Sequence, residues 1–426
     1  MRLGGRLAAA IEILDDMERR HRPVADALRD WGLSHRFAGA GDRAAIGNLV
    51  YDALRRRRSA CWLMGEETPR AQALGALFVE GGTTPAGLAA ALEGARFAPP
   101  PLGEAELAAD VARLAQAPDA VRAEIPDWCV PLFERSFGAD WVGEGAALAA
   151  RPPLDLRVNT LAATREKVLG ELKGTGAEAC RLAPDGLRIA PIAGDGRHPN
   201  VQVEPAFQKG WFEVQDEGSQ LAALVAGAEP GMQVLDYCAG AGGKTLAIAA
   251  SMDNRGQIFA HDADKGRLAP IFDRLRRAGT RNVQAFAGAD GLEPLAGRCD
   301  LVLVDAPCTG SGTWRRRPDA KWRLSDRQLD QRRGEQAAIL EAAARYVKPG
   351  GRLVYVTCSV FEEENADQVR AFAGRAGGFG FADHEALWNA VAPQAPDAAR
   401  IGDVGIVLSP ARSGTDGFFV SVMRRG

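Results

Sequence analysis

The sequence predicts a doubly wound α/β domain with a mostly parallel sheet, preceded by an all-α domain and a small α+β linker subdomain. Three observations support this fold class. Apolar residues recur at helical spacing over roughly the first 135 residues, strands alternate with helices after residue 232, and a mixed stretch lies between. A chain of 426 residues is long enough for two or three domains with separate cores. We place the domains at 1–138, 139–222 and 223–426.

The first two domains are predicted from short-range patterns. Helical spacing is seen in Leu7, Ile11, Leu14 and Met17, and again in Ile46, Val50 and Leu54. Glycines and prolines separate the short helical segments, which favours a helical bundle without strands up to about Arg135. The linker subdomain contains three predicted strands, Leu154–Val158, Leu187–Ile189 and Trp211–Val214.

The third domain alternates strands with helices. Its predicted strands are Gln233–Asp236, Ile258–Asp262, Val283–Ala287, Leu301–Val304 and Arg352–Val356, and its predicted helices are Lys244–Met252, Lys265–Ala278 and Ser325–Tyr346. Repeated β-α-β units with short connections imply parallel strands with helices on both faces. Ligands of such sheets bind beyond the carboxyl ends of the strands, so we expect the chemistry there.

Composition limits the classes of function. The chain has 52 Lys and Arg against 55 Asp and Glu, a net charge of -3, so a polyanionic partner must be met by a local basic patch. Seven dispersed cysteines without a CxxC pair argue against a disulfide framework and a thiolate zinc site. Acidic residues interrupt the first apolar pattern, and no long apolar run follows. We therefore expect a cytoplasmic monomer with no metal and no membrane contact.

A glycine turn between the first strand and first helix of the third domain is the candidate cofactor loop. A phosphate-binding loop would need glycine at position 238, which is Cys238, and a dinucleotide loop would need glycine at position 245, which is Thr245. What remains is a turn that a ligand can approach closely, in front of a helix N-terminus. The expected cofactor residues in the loop are Cys238, Ala239, Gly240, Ala241, Gly242, Gly243 and Lys244.

Two acids complete the predicted cofactor site. Asp262 ends the next strand about twenty residues beyond the turn, where a carboxylate can accept both ribose hydroxyls, and Asp290 follows the third strand. A site for an adenosine-containing cofactor without a pyrophosphate fits S-adenosyl-L-methionine, with Lys244 available for its carboxylate. The alternative is that the glycines only make a tight turn and that Asp262 caps the following helix.

Two cysteines follow two further predicted strands. Cys308 lies in the loop after Leu301–Val304, close to Asp305, and Cys358 lies after Arg352–Val356. Buried cysteines usually serve as small apolar residues, which we accept for Cys61, Cys129, Cys180 and Cys299. A thiolate at the sheet edge suits one reaction well, because attack on carbon 6 of cytosine turns carbon 5 into an enamine-like nucleophile. An acid such as Asp305 would stabilise the activated base.

These motifs resemble the RNA cytosine-5 methyltransferases of the RsmB/Sun type. The resemblance covers the cofactor loop 235–245, the segment 305–312 with the downstream Arg-Arg-Arg-Pro-Asp of 315–319, the segment 355–360 with Glu363, Glu364 and Asn365, and the ending 416–419. It implies a Rossmann-like methyltransferase domain, an N-terminal NusB-like RNA-binding domain and an RNA-binding linker. It also implies that Cys358 attacks carbon 6 and that Cys308 assists product release. Asp305 would lie between cofactor and cytosine, and Asp262, Asp290 and the loop would hold S-adenosylmethionine.

RNA, most naturally 16S rRNA, is the expected partner. The linker segment 154–161 contributes Arg157 and Asn159 as expected RNA contacts through the resemblance. The run Arg315, Arg316 and Arg317 follows the Cys308 loop, and guanidinium groups suit phosphate. A second arginine run, 55–58, fits either RNA contact or a solvated helix end.

Two alternative functions stay open at this point. A DNA cytosine-5 methyltransferase would use the thiol of its Pro-Cys pair, here Cys308, as the nucleophile and would not need Cys358. A non-catalytic rRNA-binding assembly factor could keep the fold without the reaction. The complete cofactor loop and both cysteines favour the enzyme.

Overall fold

The computed structural model describes residues 1–194, 196–288 and 291–426. Its α-helices are α1 Leu3–Arg20, α2 Val24–Ser34, α3 Ala40–Arg55, α4 Arg57–Met64, α5 Pro69–Gly81, α6 Pro85–Leu92, α7 Glu104–Leu107, α8 Asp119–Arg122, α9 Val130–Phe137, α10 Trp141–Leu148, α11 Arg165–Glu171, α12 Pro205–Gln208, α13 Glu217–Val225, α14 Gly243–Ser251, α15 Lys265–Leu268, α16 Ile271–Ala278, α17 Pro318–Arg323, α18 Asp326–Ala344, α19 Ala366–Arg375, α20 His384–Val391 and α21 Pro410–Ser413. None of the helices in these ranges is both long and apolar enough to span a bilayer.

The strands form two separate sheets. They are β1 Leu154–Val158, β2 Ala177–Ala179, β3 Gly186–Ile189, β4 Phe212–Val214, β5 Gln233–Asp236, β6 Gln257–Asp262, β7 Val283–Ala287, β8 Cys299–Asp305, β9 Val347–Thr357, β10 Phe379–Phe381, β11 Arg400–Ile401, β12 Ile406–Leu408 and β13 Phe418–Arg425. The smaller sheet is antiparallel with the order β2-β3-β1-β4, and the larger has the order β11-β12-β13-β9-β8-β5-β6-β7, with β10 paired to β13.

The chain divides into two compact units. The first comprises Met1–Arg151, Ile192–His198 and Trp314–Leu324, and the second comprises Pro152–Pro191, Pro199–Thr313 and Ser325–Gly426. The smaller sheet of the linker therefore belongs to the same unit as the larger sheet. The three-domain division remains a prediction at its boundaries.

The first unit is a helical bundle, as its spacing predicts. Its core contains the apolar faces of α1, α3 and α5, including Leu7, Leu14, Val50 and Leu74. The segment Trp314–Leu324 also belongs to this unit, although it is far from the other helices of the bundle in the sequence. Trp314 is 1% exposed, and its ring stacks on Phe133 with the centroids 5.8 Å apart.

The larger sheet has cores on both faces. Successive residues of its central strands alternate between them, so that Leu301 and Leu303 face one core while Val302 and Val304 face the other. Helices α13, α14 and α20 contribute to the first core, and α18 and α19 to the second. This arrangement is the predicted doubly wound architecture, and burial on both faces explains the nearly continuous apolar runs in these strands.

The sheet is mixed, which differs from the mostly parallel sheet expected. The pairs β5-β6, β6-β7, β5-β8 and β8-β9 are parallel, whereas β13 runs antiparallel to β9 and pairs antiparallel with β10 and β12. The added strands β10, β11 and β12 have only two or three residues each, which is too short to show an alternation of polar and apolar residues in the sequence. The predicted helix 265–278 is also two helices, because Pro270 has no N–H for a continuous helical ladder.

Candidate active site

The candidate site lies at the carboxyl ends of four parallel strands. The chain moves outward from β5 through β6 to β7, and then crosses to β8 and β9 on the other side of β5. The neighbours β5 and β8 therefore form the switch point, where loops diverge and leave a crevice. The loop after β5 contains the glycine turn, and the loop after β8 contains Asp305 and Cys308.

The glycine turn requires glycine at two positions. Gly240 and Gly242 have φ angles of 49° and 81°, in the left-handed region. A Cβ on Gly242 would lie 2.5 Å from Cγ1 of Ile271 on α16, so a side chain there would also clash. The Ala241 carbonyl accepts a hydrogen bond from Nη1 of Arg274 at 2.8 Å. The turn is thus held by both backbone conformation and a neighbouring helix.

Asp262 ends β6 and contacts the glycine turn directly. Its Oδ2 accepts a hydrogen bond from the Gly240 N–H at 3.0 Å, and its Oδ1 accepts one from the Asp264 N–H at 2.9 Å. The carboxylate is buried and lies 3.6 Å from the guanidinium of Arg267. The structure therefore brings Asp262 to the loop, as expected. Asp290, the other predicted acid, lies outside the described residues.

Lys244 and Asp305 form an ion pair across the switch point. Lys244 Nζ donates to Asp305 Oδ2 at 2.7 Å, and Nζ also lies 5.2 Å from the ring centroid of Phe418. The lysine side chain is 6% exposed, whereas that of Asp305 is 35% exposed. The sequence suggests that Lys244 is available for the carboxylate of the cofactor. In this structure Lys244 binds the carboxylate of Asp305 instead. The exposed edge of Asp305 is the part accessible to a ligand.

Asp236 is a buried acid that the sequence analysis did not single out. It ends β5, and its Oδ2 accepts a hydrogen bond from Oγ1 of Thr245 at 2.6 Å. Burial raises the pKa of this carboxyl to about 7, and the neighbouring carboxylates of Asp305 and Asp262 add to the effect. The strand end is thus occupied by a group that titrates near neutrality.

The two candidate cysteines lie side by side. Cys308 Sγ and Cys358 Sγ are 3.4 Å apart, and both are free and half-buried. The hydrogen bond to Cys358, followed by burial, raises the pKa of the Cys308 thiol well above its usual value. The two sulfurs are close enough for one hydrogen bond, in which either thiol can be the donor. The predicted pair at one sheet edge is found within contact distance.

Four of the other five cysteines have surroundings that disfavour a thiolate. Burial raises the pKa of Cys61 to about 11 and that of Cys299 to about 12, and it also raises the pKa of Cys180 and Cys238. Cys238 lies within the cofactor loop, where its burial favours packing over reaction.

A buried glutamate lies behind the cysteine loops, and the sequence analysis names it within a motif but gives it no role. Glu364 has no exposed surface, and its carboxylate accepts hydrogen bonds from the Thr309 N–H at 2.8 Å and from Ser359 Oγ at 2.5 Å. Thr309 follows Cys308 and Ser359 follows Cys358 in the sequence. The acidic run 362–364 was visible in the sequence, but nothing in it distinguishes one buried member.

Two of the residues expected to contact RNA are buried. Arg157 is buried, and its Nε donates to Gln215 Oε1 at 2.7 Å. Asn159 is buried too, with Nδ2 donating to the carbonyls of Gly210 and Ala278 at 2.8 Å each. Both side chains thus make hydrogen bonds within the second unit, and their contact with RNA stays a prediction.

The arginine run after the Cys308 loop divides by exposure. Arg315 is buried, and its carbonyl accepts hydrogen bonds from the Arg55 guanidinium at 3.1 Å. Arg316 is half-buried and Arg317 is exposed. Trp314 belongs to the core of the first unit and is not an exposed stacking surface. Arg317 is therefore the member of the run best placed to meet a phosphate.

The residues around the glycine turn fit S-adenosylmethionine. In the described part of the chain no cluster of three His, Cys, Asp or Glu side chains could hold a metal ion. The glycine turn presents backbone without side chains, and the buried Asp262 carboxylate lies beside it. A close backbone approach with an acid at the end of the second strand is the arrangement that adenosine cofactors require.

Comparison with known proteins identifies two domains. A family model described as 16S rRNA methyltransferase RsmB/F matches residues 223–424, and a second, described as the ferredoxin-like domain of the RsmF/B-like methyltransferases, matches residues 125–192. Ribosomal RNA small subunit methyltransferase B of Salmonella typhi is 37% identical over 260 residues, which is 59% of this chain and 58% of the relative. The chain thus spans a little over half of that relative's length.

Solved structures support the same relationship. The crystal structure of PH0851 aligns with a TM-score of 0.72 at 26% identity, covering 100% of this chain and 99% of the other. A methyltransferase homolog protein from Pyrococcus horikoshii aligns with a TM-score of 0.58, also at 26% identity, covering 72% and 98%. S-adenosyl-L-methionine is the cofactor of the methyltransferase family whose model matches residues 223–424. The chain is therefore similar to the RsmB/F 16S rRNA methyltransferases over residues 223–424, and to their ferredoxin-like domain over residues 125–192.

Proposed function

We propose that the protein transfers a methyl group from S-adenosylmethionine to carbon 5 of a cytosine in RNA, with 16S rRNA as the expected substrate. The observation that carries this proposal is the pair of thiols 3.4 Å apart at the ends of the adjacent strands β8 and β9. Methylation of a ring nitrogen or a hydroxyl needs no thiol, whereas methylation of cytosine carbon 5 needs a nucleophile and then a means of releasing it.

Cys358 is the proposed nucleophile. Its sulfur attacks carbon 6, and the electron pair of the 5,6 double bond becomes available at carbon 5 for the new carbon–carbon bond. The bound cofactor supplies an electrophilic methyl group on a positively charged sulfur. When the Cys308 thiol is the donor of the hydrogen bond between the two sulfurs, it stabilises negative charge on the Cys358 sulfur before attack.

Cys308 is the proposed group for release of the product. The largest cause of its raised pKa is the hydrogen bond to Cys358, which is lost once the Cys358 sulfur is bonded to carbon 6. Without this hydrogen bond the Cys308 thiol can lose its proton to solvent, which leaves a thiolate that can act as a base. It removes the proton from carbon 5, the 5,6 double bond re-forms, and the Cys358–carbon 6 bond breaks with the electrons returning to sulfur.

Asp305 and the glycine turn are the proposed binding groups. Asp305, oriented by Lys244, accepts a hydrogen bond from the exocyclic amino group of cytosine through its exposed edge. Cys238 through Gly243 and Asp262 hold the cofactor, with Asp290 expected from the sequence as a further contact. A cytosine in folded RNA must leave its stack to reach this site, at a cost of a few kcal/mol.

Covalent trapping tests the proposal. RNA containing 5-fluorocytosine has no removable proton on carbon 5, so the wild-type enzyme with S-adenosylmethionine should form a stable adduct at Cys358. With ordinary RNA, Cys308→Ala should accumulate the covalent intermediate, because release is blocked. Cys358→Ala should form no adduct with either RNA. Cys61→Ala, which changes a buried cysteine of the first unit, serves as the matched control and should behave like the wild type.

The outcomes separate the alternatives. An adduct at Cys308 with none at Cys358 would contradict the assignment and favour chemistry of the DNA type. No binding of S-adenosylmethionine by calorimetry would favour a non-catalytic assembly factor. The modified nucleotide can be mapped by bisulfite sequencing of rRNA from a strain lacking the protein.

A further inference from the structure

The carboxylate of Glu364 joins the two loops that contain the cysteines. Oε1 accepts a hydrogen bond from the Thr309 N–H at 2.8 Å, and Oε2 accepts bonds from Thr309 Oγ1 and Ser359 Oγ, each at 2.5 Å. The loops are distant in sequence, but each presents the residue after its cysteine to the same carboxylate. One side chain therefore fixes both loops.

Gln336 on α18 extends this connection to the other side of Cys308. Its Nε2 donates to Glu364 Oε1 at 2.9 Å and to the Pro307 carbonyl at 3.0 Å. Both residues that flank Cys308 are thus bonded to the Glu364–Gln336 pair. Gln336 has no exposed surface, so water does not replace these bonds.

The Cys358 loop is held in a similar way. Asn365, adjacent to Glu364, contacts Thr357 Oγ1 through Oδ1 at 2.5 Å and donates from Nδ2 to the Ser359 carbonyl at 2.9 Å. The Cys358 carbonyl accepts a hydrogen bond from the Gly312 N–H at 2.9 Å. The turn formed by Glu362–Glu364, together with Asn365, thus supports both neighbours of Cys358.

We propose that Glu364 is a positioning residue that sets the distance between the nucleophilic thiol and the releasing thiol. This inference rests on the proposed function and adds a residue that does not itself touch the cytosine. A carboxylate accepts hydrogen bonds only, and its four contacts all come from groups that can donate. A buried negative charge beside thiols opposes thiolate formation, so its presence is explained by the geometry that it imposes on the loops.

The first test replaces the carboxylate by an amide. Glu364→Gln keeps the size but turns one acceptor into a donor that faces donors, so one loop loses its anchor. Since a displacement of about 1 Å can cost on the order of 100-fold in rate, we expect adduct formation with 5-fluorocytosine RNA to slow by about that factor. The Kd for S-adenosylmethionine and the KM for RNA should not change. Glu385→Gln, the same change at an exposed position on α20, is the control.

The pH dependence of the rate is a second test, because a loss of packing alone would not shift it. The charge of Glu364 is among the causes that raise the pKa of Cys308. Removing this charge should shift the limb of the rate profile that reports thiol ionisation to lower pH. An unshifted profile together with an unchanged rate would overturn the proposal.

A milder pair of variants covers the case in which Glu364→Gln does not fold. Thr309→Val removes the hydroxyl that donates to Oε2 and keeps the shape, whereas Thr309→Ser keeps the hydroxyl. We expect Thr309→Val to lower the rate roughly ten-fold, because a hydrogen bond to a charged group is lost, and Thr309→Ser to retain nearly the wild-type rate. Equal rates in both variants would contradict the proposal that Glu364 positions the two loops.

A second assay does not depend on methyl transfer. Diamide oxidises two nearby thiols to a disulfide, with two electrons and two protons passing to the reagent. We expect the Cys308–Cys358 disulfide to form more slowly in Glu364→Gln than in the wild type. If the wild type forms no adduct with RNA, the proposed function fails, and the oxidation rates still decide the role of Glu364. Equal oxidation rates would refute the positioning role on their own.

Discussion

Replacing Asp236 by asparagine should change how the stability of the protein depends on pH. This carboxyl is 1% exposed at the end of β5, and burial raises its pKa to about 7 from 3.8 in the unfolded chain. The folded state therefore holds its proton more tightly than the unfolded state does. The associated stability is fully present below pH 3.8 and is lost as the pH rises through 7.

The size of the effect follows from the two pKa values. A difference of about three units corresponds to about 4 kcal/mol over the whole range, at 1.36 kcal/mol per unit. Within the practical window from pH 5.5 to pH 8.5, the loss is about 2 kcal/mol, because part of it has already occurred at pH 5.5. Asparagine does not titrate, so Asp236→Asn should lack this loss. The hydrogen bond from Thr245 Oγ1 can be kept by the amide oxygen.

Chemical denaturation at several pH values measures the difference. The free energy of unfolding of Asp236→Asn, minus that of the wild type, should increase by about 2 kcal/mol from pH 5.5 to pH 8.5. Asp300→Asn is the control, because its ion pair with Lys348 is among the causes that lower the pKa of Asp300, and the carboxyl is ionised throughout this window. A constant difference for Asp236→Asn would refute the reasoning.

Two further predictions concern the linker and the cofactor loop. Arg188→Met should lower the free energy of unfolding by about 3–5 kcal/mol in denaturant titrations, because it leaves the buried carboxylates of Asp155 and Glu217 without their cation. An effect under about 1 kcal/mol would show that these ion pairs contribute little to the stability of the fold. Gly242→Ala should weaken S-adenosylmethionine binding at least ten-fold by calorimetry, since its φ of 81° and the nearby Ile271 exclude a side chain. Unchanged affinity would show that the cofactor does not depend on this turn.

The parts of the fold that follow from local patterns could be predicted from the sequence. The strands β1, β5 and β7 have the bounds that were expected, because apolar runs bounded by turn residues define them. The site was located for a related reason: functional residues at the ends of parallel strands converge on one edge. The contact between Cys308 and Cys358 follows from this rule and from the adjacency of β8 and β9.

The remaining differences come from contacts that sequence patterns do not show. Arg157 and Asn159 belong to a motif associated with RNA, but here they face inward and bond to Gln215 and to backbone carbonyls. Whether a polar residue on a strand faces solvent depends on what packs against that strand. Glu364 is the opposite case. It lies in a run of acidic residues, which suggests exposure to solvent, but it is buried and bonded to Thr309, which is distant in the sequence.

The segment Trp314–Leu324 means that the two units are not successive lengths of chain. It follows the Cys308 loop in sequence, yet its aromatic residues contact the helical bundle: Trp314 stacks on Phe133, and Trp322 Nε1 donates to the Leu54 carbonyl. A chain shortened to begin at residue 152 would keep this segment but lose Phe133 and Leu54, so that Trp314, six residues after Cys308, would lose its stacking partner. Such a deletion would thus remove most of the first unit and leave the eleven residues 314–324 without the rest of its core.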